Sequence, residues 1–288
     1  MSPTSRYYQS TGSAPPAGII MMIVGGALAG MIGGAIYGPL DHYNPIIYIN
    51  ILATVGVGFI SGMAVMMAGR AGKVRSRPIY GVVGLIAGAV AVYSSWVSYI
   101  WVIFGREDVY LDPMILQIFI EKLATVGAWN IRGATPTGGV LYAIWSLEIM
   151  VIAYIAYATA MTDMEPFCES CDIWTDESQG ALLCGVEDPM KLKAELESEK
   201  YNALNELPPP GANEGHALVR LDLHKCPRCF NSNYLTAKEL KITLDKEGKE
   251  EVKETQVFTH LRVPQSVHDK LKASGEKAAA QAHEPAAG

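Results

Sequence analysis

Apolar and small residues dominate the first half of the chain, whereas charged and polar residues dominate the second half. A helix needs about 20 consecutive apolar residues to cross a bilayer. Four stretches meet that length, at 18–38, 46–69, 80–104 and 139–161. The pattern therefore predicts a bundle of four transmembrane helices within residues 17–161, preceded by a flexible N-terminal tail at 1–16.

The pattern beyond residue 161 predicts a separate module of helices and strands. Asp188 and Pro189 are suited to begin a helix, which we expect to extend to about residue 207. Alternating apolar and polar residues predict a strand at 218–224 and a β-hairpin formed by 234–244 and 251–263. We therefore expect an α+β domain at 162–263 and a disordered tail at 264–288, in which a short helix precedes an Ala-rich polar end.

The distribution of Lys and Arg predicts the orientation of the spans. The second connection carries Arg70, Lys73, Arg75 and Arg77, whereas the first carries neither Lys nor Arg. Positively charged short loops face the cytosol. With four spans, both termini and the α+β module are then cytosolic. The net charge of −6 gives no basic footprint, so a nucleic-acid partner is not indicated.

Five cysteines all lie after the last predicted span. Cys168 and Cys171 form one CxxC pair, and Cys226 and Cys229 form another. Two such pairs supply the four thiolates that a structural Zn²⁺ prefers, and iron at the same ligands remains open. With all four positions filled by protein, no position is left for a substrate. Cys184, in an apolar run, is expected to be a core residue.

The second CxxC pair lies between a predicted strand and a predicted hairpin, an arrangement that resembles a zinc ribbon. The module is therefore expected to be zinc-ribbon-like, with the helix after residue 188 as an insertion between the pairs. His224, two residues before Cys226, is expected to face solvent on its strand.

Glu148 lies near the middle of the fourth predicted span. A carboxyl group at that depth is costly, so it faces the bundle interior, stays protonated or finds a partner. One interpretation is a proton or cation site, and the other is a protonated acid packed against a neighbouring helix. The sequence offers no cation at mid-depth in the other spans, which leaves Thr54, Asn50, Ser61, a serine of the third span or a second subunit as partners.

Glycines recur at spacings of four in three predicted spans. Residues four apart share one face of a helix, and a face of small residues lets another helix approach closely. This pattern predicts close helix packing inside the bundle, with a homo-oligomer or channel packed through the same faces as the alternative. The glycines concerned are Gly26, Gly30, Gly34, Gly38, Gly58, Gly62, Gly84 and Gly88.

The leading functional expectation is a structural or regulatory membrane protein whose zinc-stabilised module binds a cytosolic protein. The alternative is a small ion- or proton-coupled transporter or channel that uses Glu148. A third possibility, a membrane-bound enzyme or redox carrier, would use the cysteines. The sequence contains no P-loop, HExxH, GxSxG or strand-linked GxGxxG pattern, so an enzyme is not indicated.

The stretch 139–171 carries a Trp-x-x-Glu pattern, Trp145 to Glu148, followed by Pro166-Phe167-Cys168 and then Trp174. In this stretch the chain resembles a group of uncharacterised bacterial four-span membrane proteins. The resemblance implies a bacterial inner-membrane location and brings no function with it.

Overall fold

The computed structural model describes residues 6–44, 46–128, 135–162, 164–205, 207–210, 216–229, 231–244 and 249–282. The chain forms two compact units. One unit is Thr11–Asp163, which holds the four long apolar helices. The other combines the two ends of the chain, Met1–Ser10 and Met164–Gly288, and contains the sheets and a cluster of four cysteines.

The first unit contains five helices in the part of the chain that is described. Four are long and apolar enough to cross a membrane. The fifth, α4, is short, and it begins where the Asp112 side chain accepts a hydrogen bond from the Met114 backbone N–H at 2.8 Å. The helices are α1 (Pro16–Tyr43), α2 (Ile47–Ala71), α3 (Arg77–Ile103), α4 (Pro113–Val126) and α5 (Gly138–Ala160).

The glycines of α1 lie against the backbone of α3. A Cβ atom at Gly30 would come within 2.6 Å of the Ala87 carbonyl oxygen, and one at Gly34 would overlap the Ala91 carbonyl oxygen. Ser98 of α3 donates a hydrogen bond to the Gly34 carbonyl oxygen at 3.1 Å. Only glycine leaves room for this approach, because any side chain would occupy the space of the other backbone.

The glycines of α2 and α3 meet α5 in the same way. A Cβ at Gly62 would lie 2.5 Å from the Ala156 carbonyl oxygen, and one at Gly84 would lie 2.9 Å from that atom. Gly26 meets Val65 and Ala87, Gly38 meets Ser95 and Ser98, Gly58 meets Ile152 and Ile155, and Gly88 meets Ala153 and Ala156. All eight predicted glycine contacts are therefore made within one chain. A homo-oligomer remains a prediction and would need other surfaces.

The second unit is built on a four-stranded antiparallel sheet in the order β3-β4-β5-β6. Its strands are Asp176–Val186, Ala217–Lys225, Asn233–Leu244 and Glu250–Arg262, and two helices accompany it, α6 (Pro189–Glu197) and α7 (Gln265–Ala282). Leu221, Leu223, Leu235 and Leu261 are fully buried within one hydrophobic core. A separate two-stranded ribbon pairs β1 (Phe167–Cys168) with β2 (Ile173–Trp174).

The structure corrects the sequence prediction at several places in this unit. The predicted helix ends at Glu197, because Glu199 adopts a left-handed φ of 61° before a short 3₁₀ turn, Tyr201–Asn205. Strand β3 was not predicted. The short helix expected at the start of the C-terminal tail is α7, which extends further than expected, to Ala282. Its residues Val267 and Leu271 share a face and pack against the sheet core.

The N-terminal tail also differs from its prediction. Tyr7 forms an antiparallel bridge with Leu261 of β6, and the Tyr8 backbone N–H donates to the His260 carbonyl oxygen at 2.9 Å. Residues 6–8 thus add to the outer edge of β6, which lies about 250 positions further along the chain. The predicted hairpin is present as β5 and β6, while its turn, at 245–248, lies outside the described residues.

Candidate metal centre

Two tight turns position the four cysteines predicted as ligands. Cys168 ends β1 and Cys171 follows in the turn to β2, where the Cys171 backbone N–H donates to the Cys168 carbonyl oxygen at 3.3 Å. Cys226 and Cys229 lie in the turn between β4 and β5, closed by a hydrogen bond from the Cys226 N–H to the Ser232 carbonyl oxygen at 2.9 Å. All four Sγ atoms lie within 4.8 Å of one another.

The spacing of the sulfurs fits a tetrahedral metal ion. The Sγ atoms of Cys168 and Cys229 are 3.6 Å apart, and no disulfide links any of the five cysteines. Zn–S bonds of about 2.3 Å in a tetrahedron place neighbouring sulfurs about 3.8 Å apart. The four side chains can therefore hold a metal ion after small adjustments of their positions, and Cys168 and Cys226 are buried.

Local hydrogen bonds favour thiolate at two of the four positions. Burial alone would raise the pKa of Cys168, but hydrogen bonds from the Ser170 and Ser232 hydroxyls and from the Cys171 backbone lower it to about 6. The Asn231 backbone N–H likewise lowers the pKa of Cys229. Thiolate is the form that binds metal, so these contacts prepare the site for a cation.

Cys171 differs from Cys168 and Cys229 in its protonation. Hydrogen bonding to Cys229, together with burial and the neighbouring Cys226 and Cys168, raises the pKa of Cys171 to about 12. Thiolates at these distances repel one another, and a cation among them would offset that repulsion. The four cysteines lie close enough together to hold a metal ion.

Cys184 and His224 do not belong to this cluster. Cys184 lies in the sheet core, as predicted, and its Sγ is 3.5 Å from the Val219 carbonyl oxygen. His224 was expected to face solvent, but it is only 2% exposed and its Nε2 lies 3.3 Å from the Thr236 hydroxyl. Residues 221–224 are all buried, so this part of β4 does not alternate between buried and exposed side chains. Arg220 forms an ion pair with the buried Asp222 at 3.2 Å.

Glu148 lines a small cavity between the helices of the first unit, with both apolar and polar side chains around it. The cavity has a volume of about 30 Å³ and is also lined by Tyr37, Asp41, Tyr99 and Trp145. That volume is large enough for a water molecule. Asp41 is therefore a second carboxyl group at the same cavity, on α1, and it is only 8% exposed.

Hydrogen bonds connect this cavity to the neighbouring α2. The Asn50 Nδ2 donates to Asp41 Oδ1 at 2.8 Å, and the Tyr37 hydroxyl lies 3.0 Å from the Thr54 hydroxyl. Tyr37 also hydrogen-bonds to Glu148. Thr54 and Asn50, two partners predicted for Glu148, thus belong to the network. Ser61 does not, because its hydroxyl donates to the Val57 carbonyl oxygen at 2.8 Å.

Sequence reasoning missed Asp41 because the first span was expected to end at residue 38. The helix instead continues to Tyr43. The available signal was the spacing of four between Tyr37 and Asp41, which places both side chains on one face if the helix continues.

No protein-family model, curated protein or solved structure significantly matches this chain. The resemblance to bacterial four-span membrane proteins therefore stays a prediction.

Proposed function

We propose that this protein is a multi-pass membrane protein of the bacterial inner membrane that presents a zinc-stabilised interaction module to the cytosol. The observation that carries the proposal is the convergence of the four Sγ atoms within 4.8 Å in a unit separate from the four apolar helices. A site with four protein thiolates has no open position for catalysis, so its role is structural.

The surface of the first unit supports membrane insertion. Its four long helices carry large apolar side chains that are mostly exposed, including Ile32 at 62%, Ile36 at 64% and Leu52 at 71% exposure. Exposed apolar surface of this extent is unstable in water and is typical of a surface that faces lipid.

The N-terminal segment supports an even number of crossings. Residues 6–8 pair with β6, so the start of the chain lies on the same side of the membrane as the module. Four spans between these segments satisfy this condition. The Lys and Arg residues of the connection between α2 and α3 then favour a cytosolic location for both termini.

The arrangement of the turns supports a zinc-ribbon-like module. Each cysteine pair lies in or at the turn of an antiparallel strand pair, β1 with β2 and β4 with β5. Such sites replace part of the hydrophobic core that a small ribbon cannot build for itself.

Metal content and in-cell cross-linking test the proposal together. Purified full-length protein should carry about one zinc per chain, measured by elemental analysis, and Cys226→Ser should lose it while Cys184→Ala keeps it. A photo-cross-linker at an exposed module position, such as Lys241, should give a discrete adduct in cells. That adduct should disappear in Cys226→Ser and persist in Cys184→Ala. Wild-type protein purified without zinc would contradict the zinc assignment. An adduct that persists in Cys226→Ser would contradict the interaction role.

A second candidate function rests on the cavity that Glu148 shares with Asp41. Two carboxyl groups near each other in an apolar bundle interact strongly, and a proton or a cation between them relieves their repulsion. The hydroxyls of Tyr37 and Thr54 continue from Glu148 towards Asn50, whose backbone carbonyl accepts from Thr54 at 2.8 Å. This chain of groups supports ion- or proton-coupled transport.

Flux measurements in proteoliposomes test the second candidate. Proton or cation flux should be lost in both Glu148→Gln and Asp41→Asn. Glu121→Gln is the matched control, because Glu121 is an exposed acid on α4 that pairs with Gln117 at 2.9 Å. Absence of flux in the wild-type protein would remove this candidate.

A further inference from the structure

Residues 6–10, which we call the N-terminal strap, contact both the sheet and the first cysteine turn. We propose that the strap is a metal-dependent latch: an ion at the four cysteines favours its docking, and its docking favours retention of the ion. This inference rests on the metal centre proposed above, and it adds regulation that a purely structural site would lack.

The backbone of the strap extends the sheet at its outer edge. Tyr8 N–H donates to the His260 carbonyl oxygen at 2.9 Å, and Arg262 N–H donates to the Arg6 carbonyl oxygen at 2.7 Å. These bonds flank the bridge between Tyr7 and Leu261. Two backbone bonds on an edge strand give a weak attachment, so the side chains decide how stable it is.

The Tyr7 side chain fixes the strap to the sheet. Its ring packs against the hydrophobic core of the module, and its hydroxyl hydrogen-bonds to Glu197 at the end of α6. Burial and this hydrogen bond raise the pKa of Tyr7 above its ordinary range, so the hydroxyl remains the donor. This anchor does not involve the cysteines.

The Tyr8 side chain fixes the strap to the first cysteine turn. Its ring packs edge-to-face on Tyr234, with ring centroids 5.6 Å apart. Its hydroxyl oxygen accepts hydrogen bonds from the Phe167 backbone N–H and the Ser10 hydroxyl. Phe167 immediately precedes Cys168, so the bond joins the strap to the backbone next to a metal ligand.

The first cysteine turn depends on support from outside itself. Its two strands have two residues each, and an isolated ribbon of that size does not hold its shape in water. Its internal contacts are short-range: Phe167 packs on Trp174 with ring centroids 4.9 Å apart, and the Thr175 backbone N–H and hydroxyl both donate to the Pro166 carbonyl oxygen at 2.9 Å. A metal ion and Tyr8 therefore stabilise the same short segment, and two groups that order one segment are coupled.

Two chain segments connect the module and its strap to the helices of the first unit. Residues 11–15 connect the strap to α1, which carries Asp41, and residues 161–166 connect α5, which carries Glu148, to β1. Release of the strap would remove one of the two attachments between the module and the helices.

Hydrogen exchange and metal release test the latch in full-length protein in detergent. After zinc loading is confirmed, a chelator should reduce amide protection of the strap and of residues 167–171, while amides of β4 near Leu221 keep theirs. Equal loss in the strap and in β4 would indicate general unfolding and overturn the proposal. Unchanged protection of the strap after chelation would overturn it too.

The rate of zinc transfer to a chromogenic chelator gives the reciprocal measurement. Tyr8→Phe keeps the ring and removes the acceptor of the Phe167 N–H, so transfer should be about fivefold faster, the equivalent of one hydrogen bond of about 1 kcal/mol. Tyr201→Phe, at a tyrosine outside the strap, is the matched control and should leave the rate unchanged. Equal rates in the two variants would overturn the latch and leave the metal centre intact. A protein that binds no metal would overturn the proposed function itself.

Discussion

The Sγ atoms of Cys168 and Cys229 lie 3.6 Å apart although 61 positions separate the two residues in the chain. The intervening segment holds β3, α6 and β4, whose core residues include Cys184, Leu196 and Leu221. The sheet therefore has a hydrophobic core that does not depend on the four clustered cysteines. The cysteine cluster lies at one edge of a domain with its own stabilisation.

Metal removal should accordingly weaken the module without abolishing its sheet. We expect a chelator to lower the unfolding midpoint of the module by several degrees or more, because a bound ion contributes its binding free energy to the folded state. Far-UV circular dichroism should retain its strand and helix signals at 20 °C. A thermal scan of full-length protein with and without zinc makes the comparison, with Cys226→Ser as the variant that no longer responds to zinc. An identical midpoint under both conditions would contradict a metal contribution.

The five thiols should react in two distinct groups. Burial raises the pKa of Cys184 to about 12, so its thiolate fraction at pH 8 is roughly a thousandfold below that of an ordinary cysteine. Titration with a thiol reagent should count few fast thiols in the zinc-loaded protein, more after chelation because the two cysteine turns lose their ion, and Cys184 only after denaturation because it lies in the core. Cys184→Ala should remove the slow thiol alone. Fast labelling of Cys184 in the folded protein would contradict its place in the core.

The sequence could predict the metal ligands because their chemistry is local. A pair of cysteines separated by two residues presents both sulfurs from one turn, whatever the rest of the fold. The four long helices were equally predictable, since length and hydropathy suffice. Strand β3 was not, because its first residues, Asp176, Glu177 and Ser178, are polar and pair only with residues of β4 that lie more than 40 positions further along the chain.

Asp41 and the N-terminal strap escaped prediction for the same physical reason. Their roles arise from contacts between distant parts of the chain, Asp41 with Asn50 and the cavity of Glu148, and Tyr8 with His260 and Phe167. Local pattern placed Asp41 in a loop and the strap in a flexible tail. Pairings of this kind are set by tertiary packing, which overrides the weak preferences of short polar segments.

The contact between Gly34 and α3 should be intolerant of any side chain. A Cβ at Gly34 would lie 2.8 Å from the Ser95 backbone nitrogen and would overlap the Ala91 carbonyl oxygen, so Gly34→Ala must separate the helices. We expect a loss of about 1–3 kcal/mol in the unfolding free energy of the bundle. Gly56→Ala is the matched control, since a Cβ at Gly56 meets nothing within 4 Å. Thermal unfolding in detergent, followed by helix signal, should show a lower midpoint for Gly34→Ala alone.

His268 should make the module less stable in mild acid. Burial lowers the pKa of His268 below its ordinary 6.5, and the hydrogen bond to Asp269 offsets this only in part, while Lys225 and Lys272 add to it. The unfolded chain therefore binds more protons as the pH falls below about 6.5, and stability declines with it. His224, whose burial lowers its pKa to about 4, acts in the same direction, so His268→Gln should flatten only part of the dependence. Urea midpoints of the module at pH 5.5 and 7.5 give the measurement, and since both proteins share the same cysteines, their difference isolates His268. Equal pH dependence in the two proteins would show that His268 can be protonated in the folded module at no cost.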